Sequence, residues 1–149
     1  MKGNTAMSPC FSSLALLLLI PALWIISGYL VARVSGWRRL AESYLPTTEQ
    51  GERQLWLMSC RVGWVNYSGR LFMSFDSTSL HIYLHKLFRP GHPPVCVPWA
   101  EIKAEMVKGY MGEVLQLSFH RVPAVKLSLP GKIYDKLVQA SNSRLLLSR

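Results

Sequence analysis

Residues 114–129 read VLQLSFHRVPAVKLSL, and this stretch decides the fold. Leu115, Leu117 and Phe119 alternate with Gln116, Ser118 and His120; a few residues on, Val125, Leu127 and Leu129 alternate with Lys126 and Ser128. A period of two belongs to a strand with one face on a core, because successive side chains point to opposite sides of a sheet. Val114 to His120 and Val125 to Leu129 are therefore predicted to be paired strands. The same period recurs upstream. Gln54 to Val62 sets Trp56, Met58, Cys60 and Val62 on one face, and Arg70 to Phe75 sends Leu71, Met73 and Phe75 inward. Leu80, Ile82 and Leu84 then face the core, with His81, Tyr83 and His85 pointing outward. Gly63, Asn66, Gly69 and the pair Asp76-Ser77 supply turn chemistry between these runs. Val95 to Trp99 and Ile102 to Lys108 complete a set of seven short strands.

Two breaks frame the pattern. Arg89-Pro90-Gly91-His92-Pro93-Pro94 holds three prolines, which lack an amide donor, so it is predicted to be an extended corner. After Pro130, Lys132 to Arg144 carries Ile133, Tyr134, Leu137, Val138 and Ser141 at helical spacing, which predicts a closing amphipathic helix. Residues 52–146 are thus expected to form a mainly β domain, a seven-stranded antiparallel barrel whose open end the helix covers.

The chain has 149 residues, half of them apolar, and the excess hydrophobicity lies in one place. Residues 11–34 read FSSLALLLLIPALWIISGYLVARV, with no charge between Lys2 and Arg33. At about 1.5 Å per residue these residues make roughly 36 Å of helix, enough to cross a hydrocarbon layer about 30 Å thick. One N-terminal transmembrane helix follows, with a tail at 1–10 before it and a juxtamembrane linker at 35–51 after it. Pro21 is tolerated in such a helix, and Trp24, which falls mid-segment, is given no anchoring role. The alternative is a secretory signal removed near Ser35, although Leu30-Val31-Ala32 before Arg33 makes a poor cleavage site. Arg33, Arg38 and Arg39 after the span, against Lys2 and the amino terminus before it, favour a cytoplasmic domain.

The order of elements resembles that of pleckstrin-homology-like domains of the bacterial and GRAM types, seven strands and then one helix. The sharpest local likeness is Val97-Pro98-Trp99-Ala100-Glu101-Ile102. The chain also resembles a group of short bacterial single-pass membrane proteins, through Ser35-Gly36-Trp37-Arg38-Arg39-Leu40-Ala41-Glu42 and Phe88-Arg89-Pro90-Gly91-His92-Pro93-Pro94. The resemblance implies a fold and an inner-membrane location, and it brings no activity. Members that bind phosphoinositides carry a basic first loop, whereas Gly63 to Gly69 here holds neither Lys nor Arg.

Catalytic signatures are absent: there is no G-x-S-x-G, no P-loop and no G-x-G-x-x-G. His81 and His85, four apart on a strand, are separated by roughly 13 Å, too far to share a metal. No enzyme, cofactor or metal is expected. Cys60 and Cys96 lie on different strands, open to a disulfide outside the cytoplasm and reduced within it. With Lys2 and Arg33 set aside, 15 basic and 8 acidic residues remain. That balance suits contact with anionic lipid head groups. Nucleic acid is not expected, because no row of exposed aromatics interleaves the basic residues. The candidate recognition loop is Arg89, Pro90, Gly91, His92 and Pro93, where a guanidinium and an imidazole stand on a stiff backbone. Trp37, Arg38 and Arg39 are read as the juxtamembrane boundary. Together these features predict a membrane-anchored, non-enzymatic module that binds a protein partner or lipid head groups. The alternative is an external ligand-binding barrel released from its signal.

Overall fold

The computed structural model describes residues 9–44, 53–57, 60–67, 69–110, 112–141 and 145. A single helix, α1 (Pro9–Val34), runs unbroken through Pro21. Its stretch Ser13–Val34 has a mean hydropathy of 2.4 and is long and apolar enough to cross a membrane or to serve as a signal sequence. From Ser13 to Ser27 every side chain is exposed.

A turn at Ser35-Gly36 leads into α2 (Trp37–Ser43). Gly36 adopts a left-handed backbone (φ 80°), and a Cβ there would come within 2.6 Å of Val125, so the turn sits directly on the β domain. The segment read as a linker thus begins with a packed helix: Trp37, Leu40 and Tyr44 are buried in the same core as the strands. Arg121 fixes the end of α2, its amide donating to the Tyr44 hydroxyl and its guanidinium to the Ser43 carbonyl and to Glu101.

The β domain is two antiparallel sheets. One orders β1 (Arg53–Leu57), β4 (Leu71–Phe75), β5 (Ser79–Leu84) and β6 (Val95–Pro98) as β1-β4-β5-β6. The other contains β2 (Arg61–Val62), β3 (Val65–Asn66), β7 (Ile102–Gly109), β8 (Gly112–Phe119) and β9 (Val122–Pro130) in the order β3-β2-β9-β8-β7. Register explains the core. Met73, Ile82 and Val95 are cross-strand neighbours in the first sheet, as are Val62, Leu127, Leu117 and Ala104 in the second, and all seven are buried.

Several expectations need correction. Among the described residues no ladder joins the two sheets into a closed barrel. The chain instead passes between sheets at corners: the run read as one strand from Gln54 divides into β1 and β2, and Pro98 ends β6 before a 3-10 turn at Trp99–Glu101. The side chains of Trp56 and Met58 lie outside the described residues. β9 starts at Val122, and a register shift opposite Ser118 and Phe119 forms a bulge that takes in Pro123, which has no amide to give a ladder. The closing helix is short, α3 (Tyr134–Ala140), entered through a 3-10 turn at Gly131–Ile133, with Leu137 buried; residues 142–144 lie outside the described residues. His81, expected to face outward, is buried. Its Nε2 meets Asp76 Oδ2 at 3.0 Å, because the β4–β5 turn folds that carboxylate over the sheet.

Candidate functional site

Two segments about sixty residues apart in sequence meet at the domain end of α1. The indole nitrogen of Trp24 donates to the Leu87 carbonyl at 3.1 Å, and its ring lies 5.4 Å from that of Phe88. One turn further on, a Cβ on Gly28 would stand 2.9 Å from the Pro90 carbonyl oxygen. Gly91 (φ 77°) mirrors it, since a Cβ there would stand 2.9 Å from the Tyr29 Cα. Two glycines thus let helix backbone and loop backbone touch. Trp24, set aside in the sequence as mid-segment, is a docking residue.

Behind this contact is a buried polar chain. The Tyr67 hydroxyl lies 2.9 Å from Ser35 Oγ and 2.8 Å from His92 Nε2. His92 Nδ1 is 3.0 Å from the Pro90 carbonyl, an acceptor only, so Nδ1 carries the hydrogen and Nε2 accepts from Tyr67. Trp37 packs edge-on against His92 and donates its indole hydrogen to the Pro93 carbonyl at 2.9 Å. Burial sets the electrostatics. It pushes the His92 imidazole below its ordinary value, against the Pro90 hydrogen bond that favours the charged form, and it pushes the Tyr67 phenol up. His92 is therefore a neutral structural group near neutral pH.

The candidate recognition loop divides accordingly. Arg89 and Pro93 are exposed, Pro90 and Gly91 are half-buried against α1, and His92 is buried. Of the juxtamembrane residues, Arg38 and Arg39 are exposed and Arg38 holds Glu42 at 2.7 Å, whereas Trp37 is fully buried and does not present its indole to a bilayer. Sequence reasoning missed Gly28, Tyr67, Ser35 and Lys86. A glycine amid large apolar residues was the one signal for Gly28, because in a spanning helix it marks close backbone approach.

Two spaces flank the Gly28–Pro90 contact. A cavity of about 160 Å³ is lined on one side by Trp24, Gly28, Arg70, Leu84 and Phe88, with the Arg70 guanidinium 4.4 Å from the centre of the Phe88 ring. On the other side is an open groove whose charged lining is Arg33, Arg38, Lys86, Arg89 and Glu42.

A second polar cluster sits at the β4–β5 turn. Asp76 accepts from the Thr78 amide and hydroxyl and from the Ser79 amide, and it faces His81. Its burial would raise the carboxyl, but these hydrogen bonds outweigh it and hold Asp76 well below the ordinary carboxylate range. Ser79 and Asp76 meet the same imidazole nitrogen of His81, so the ring does not relay a proton from one to the other. Cys60 and Cys96 are both free thiols. Cys60 is in the core, where burial pushes its thiol up to about 12, and Cys96 is half-buried opposite His81. Among the described residues no group of three potential metal ligands occurs. Neither family models, nor curated proteins, nor solved structures give a match to this chain.

Proposed function

We propose that this protein is a membrane-anchored, non-enzymatic interaction module, with a pleckstrin-homology-like domain held at the inner membrane by an uncleaved N-terminal span. One observation carries the reading: the domain end of α1 is part of the domain's own packing. Ala32 is buried in the shared core, and Trp24, Gly28 and Tyr29 seat the Lys86 to Pro93 loop. Cleavage near Ser35 would strip these contacts and leave Pro90 and Gly91 partly bare, so the packing favours an anchor over a removed signal.

The pleckstrin-homology-like reading is supported by strand order. The seven runs seen in the sequence fall on β1 with β2, then β4 to β9 in turn, with α3 after the last. The cytoplasmic side is supported by charge. Arg38 and Arg39 alone make a short basic cluster, but the fold brings Lys86 and Arg89 beside Arg33. Arg33, Arg38, Lys86 and Arg89 together make four cations, the size that typically responds to an anionic leaflet. The partner in this reading is a lipid head group or a protein at that surface, and no chemical step is assigned.

The test is protease protection of a C-terminally tagged full-length chain in spheroplasts and inverted vesicles. A full-length product cut only in inverted vesicles is the expected result. A tag cut in spheroplasts, or a product shortened by about 34 residues, would refute the cytoplasmic anchored reading.

A further inference from the structure

The depth of the loop contact on α1 fixes where the groove lies relative to a bilayer. From Pro9 to Ser27 the helix rises about 28 Å, which fills a hydrocarbon layer of about 30 Å. The loop docked against Trp24, Gly28 and Tyr29 carries Lys86 and Arg89, whose charges do not sit in hydrocarbon, so the layer ends near Ser27 and Gly28. Tyr29 to Val34 and the loop docked against them then occupy the head-group zone, roughly 5–7 Å thick on each side. Leu87, which is 66% exposed, sits level with Trp24 at the hydrocarbon edge. In this zone four cations and one carboxylate line the open groove. Arg38 is paired with Glu42, whereas Arg33, Lys86 and Arg89 have no ion-pair partner among the described residues. Ile26, Tyr29 and Leu30 line the same groove toward the hydrocarbon, so its lining runs from charged to apolar in the order of a lipid molecule.

We propose that this groove binds the phosphate head group of an anionic glycerophospholipid from the leaflet facing the domain. Arg33 and Arg38 form the helix wall, Lys86 and Arg89 form the loop wall, and the acyl chains run down along Leu30 and Ile26. Guanidinium pairs match phosphate oxygens in bidentate geometry, and the apolar lower lining leaves no cost of stranding the chains in water. Arg33, Leu30 and Ile26 belong to the spanning helix, so the domain alone does not carry the site. The inference rests on the anchored reading above and gives it a ligand class and an address.

The test uses the full-length chain in lipid nanodiscs holding equal phosphatidylglycerol and phosphatidylcholine, with retained lipids counted by native mass spectrometry. The wild-type chain retains one phosphatidylglycerol in preference to phosphatidylcholine. The double variant Lys86→Gln/Arg89→Gln, both exposed positions, lowers that preference about 30-fold. Lys103→Gln/Lys108→Gln, on the β7 edge strand, leaves it unchanged. Absence of any preference in wild type overturns the proposal, as does an equal loss in both double variants, which would indicate diffuse charge. Inorganic phosphate bound in phosphatidylcholine-only discs, without lipid preference in the mixed discs, would assign the groove to a soluble anion and also overturn it. Carbonate extraction of native membranes separates the two levels. A chain that stays in the membrane yet shows no preference refutes the head-group site alone, and a chain that is released refutes the anchor as well.

Discussion

Gly91→Ala and Gly69→Ala place the same methyl group on nearly the same left-handed backbone, φ 77° and 71°, in two different surroundings. At Gly69 the added Cβ meets nothing within 4 Å; at Gly91 it stands 2.9 Å from the Tyr29 Cα and 3.1 Å from that residue's ring. The left-handed conformation costs an alanine about 1–2 kcal/mol at either site. Alanine also reduces the freedom of the unfolded chain equally in both, so that gain cancels in the comparison. What remains is overpacking at Gly91 alone, against helix backbone that no rotamer change can move, worth about 1–3 kcal/mol. Gly69→Ala is therefore expected to destabilise by about 1–2 kcal/mol and Gly91→Ala by about 2–5 kcal/mol. Urea unfolding of the full-length chain in mild detergent measures both. Acrylamide quenching provides a second readout, since displacement of the loop frees the Trp24 indole from the Leu87 carbonyl. A difference between the variants below about 0.5 kcal/mol, with unchanged quenching, would refute the close approach of loop and helix.

Other outcomes follow from the same contacts. Leu117→Asp, which buries a charge between Ala104 and Leu127, is expected to abolish cooperative unfolding by circular dichroism, whereas His81→Ala, which strips one donor from Asp76, costs about 1–3 kcal/mol and leaves the fold intact. The imidazole of His92 is held below its ordinary 6.5, so the unfolded chain binds the proton first; stability is complete above about pH 6.5 and declines as pH falls toward the folded value, a decline that His92→Gln removes. Asp76 acts lower on the scale: its depressed carboxyl contributes stability above the ordinary 3.8 that is lost as pH falls through and below that value, and Asp76→Asn flattens this limb of the urea-midpoint profile. In a Cys10→Ser background, iodoacetamide on the native protein adds one label, at Cys96, and a second only after unfolding exposes Cys60, as read by intact mass.

The strands were legible because one face of each is dry. The alternations at Leu71, Met73 and Phe75, at Leu80, Ile82 and Leu84, and at Leu115, Leu117 and Phe119 all point to buried side chains in the fold. Trp99 is buried with its indole donating to the Asp76 carbonyl. His81 was misread because a period of two separates faces but does not say whether the second face is open; here a turn carboxylate covers it. The apolar helix was legible from length and hydropathy, yet its docking was not. Trp24, Gly28 and Tyr29 carry no periodic signal toward Leu87, Pro90 and Gly91, and such long-range contacts are specified by shape and not by pattern. The loop and the segment after the span each stood out in the sequence, one for its prolines and the other for its Trp-Arg-Arg run, but nothing in either says that Trp37 bonds to Pro93.

In the anchored reading proposed above, the glycine contact between α1 and the loop also makes the span a lever. A spanning helix meets a thinner bilayer by leaning away from the membrane normal, each ångström of mismatch costing a fraction of a kcal/mol. Where a helix hangs on a loose tether, that lean goes no further than the tether. Here Gly28 sits on Pro90, Gly91 on Tyr29 and Gly36 on Val125, so the angle of the helix is the attitude of the domain. A change in membrane thickness would roll the β sheets against the lipid surface, turning a property of the bilayer into the orientation of a protein face.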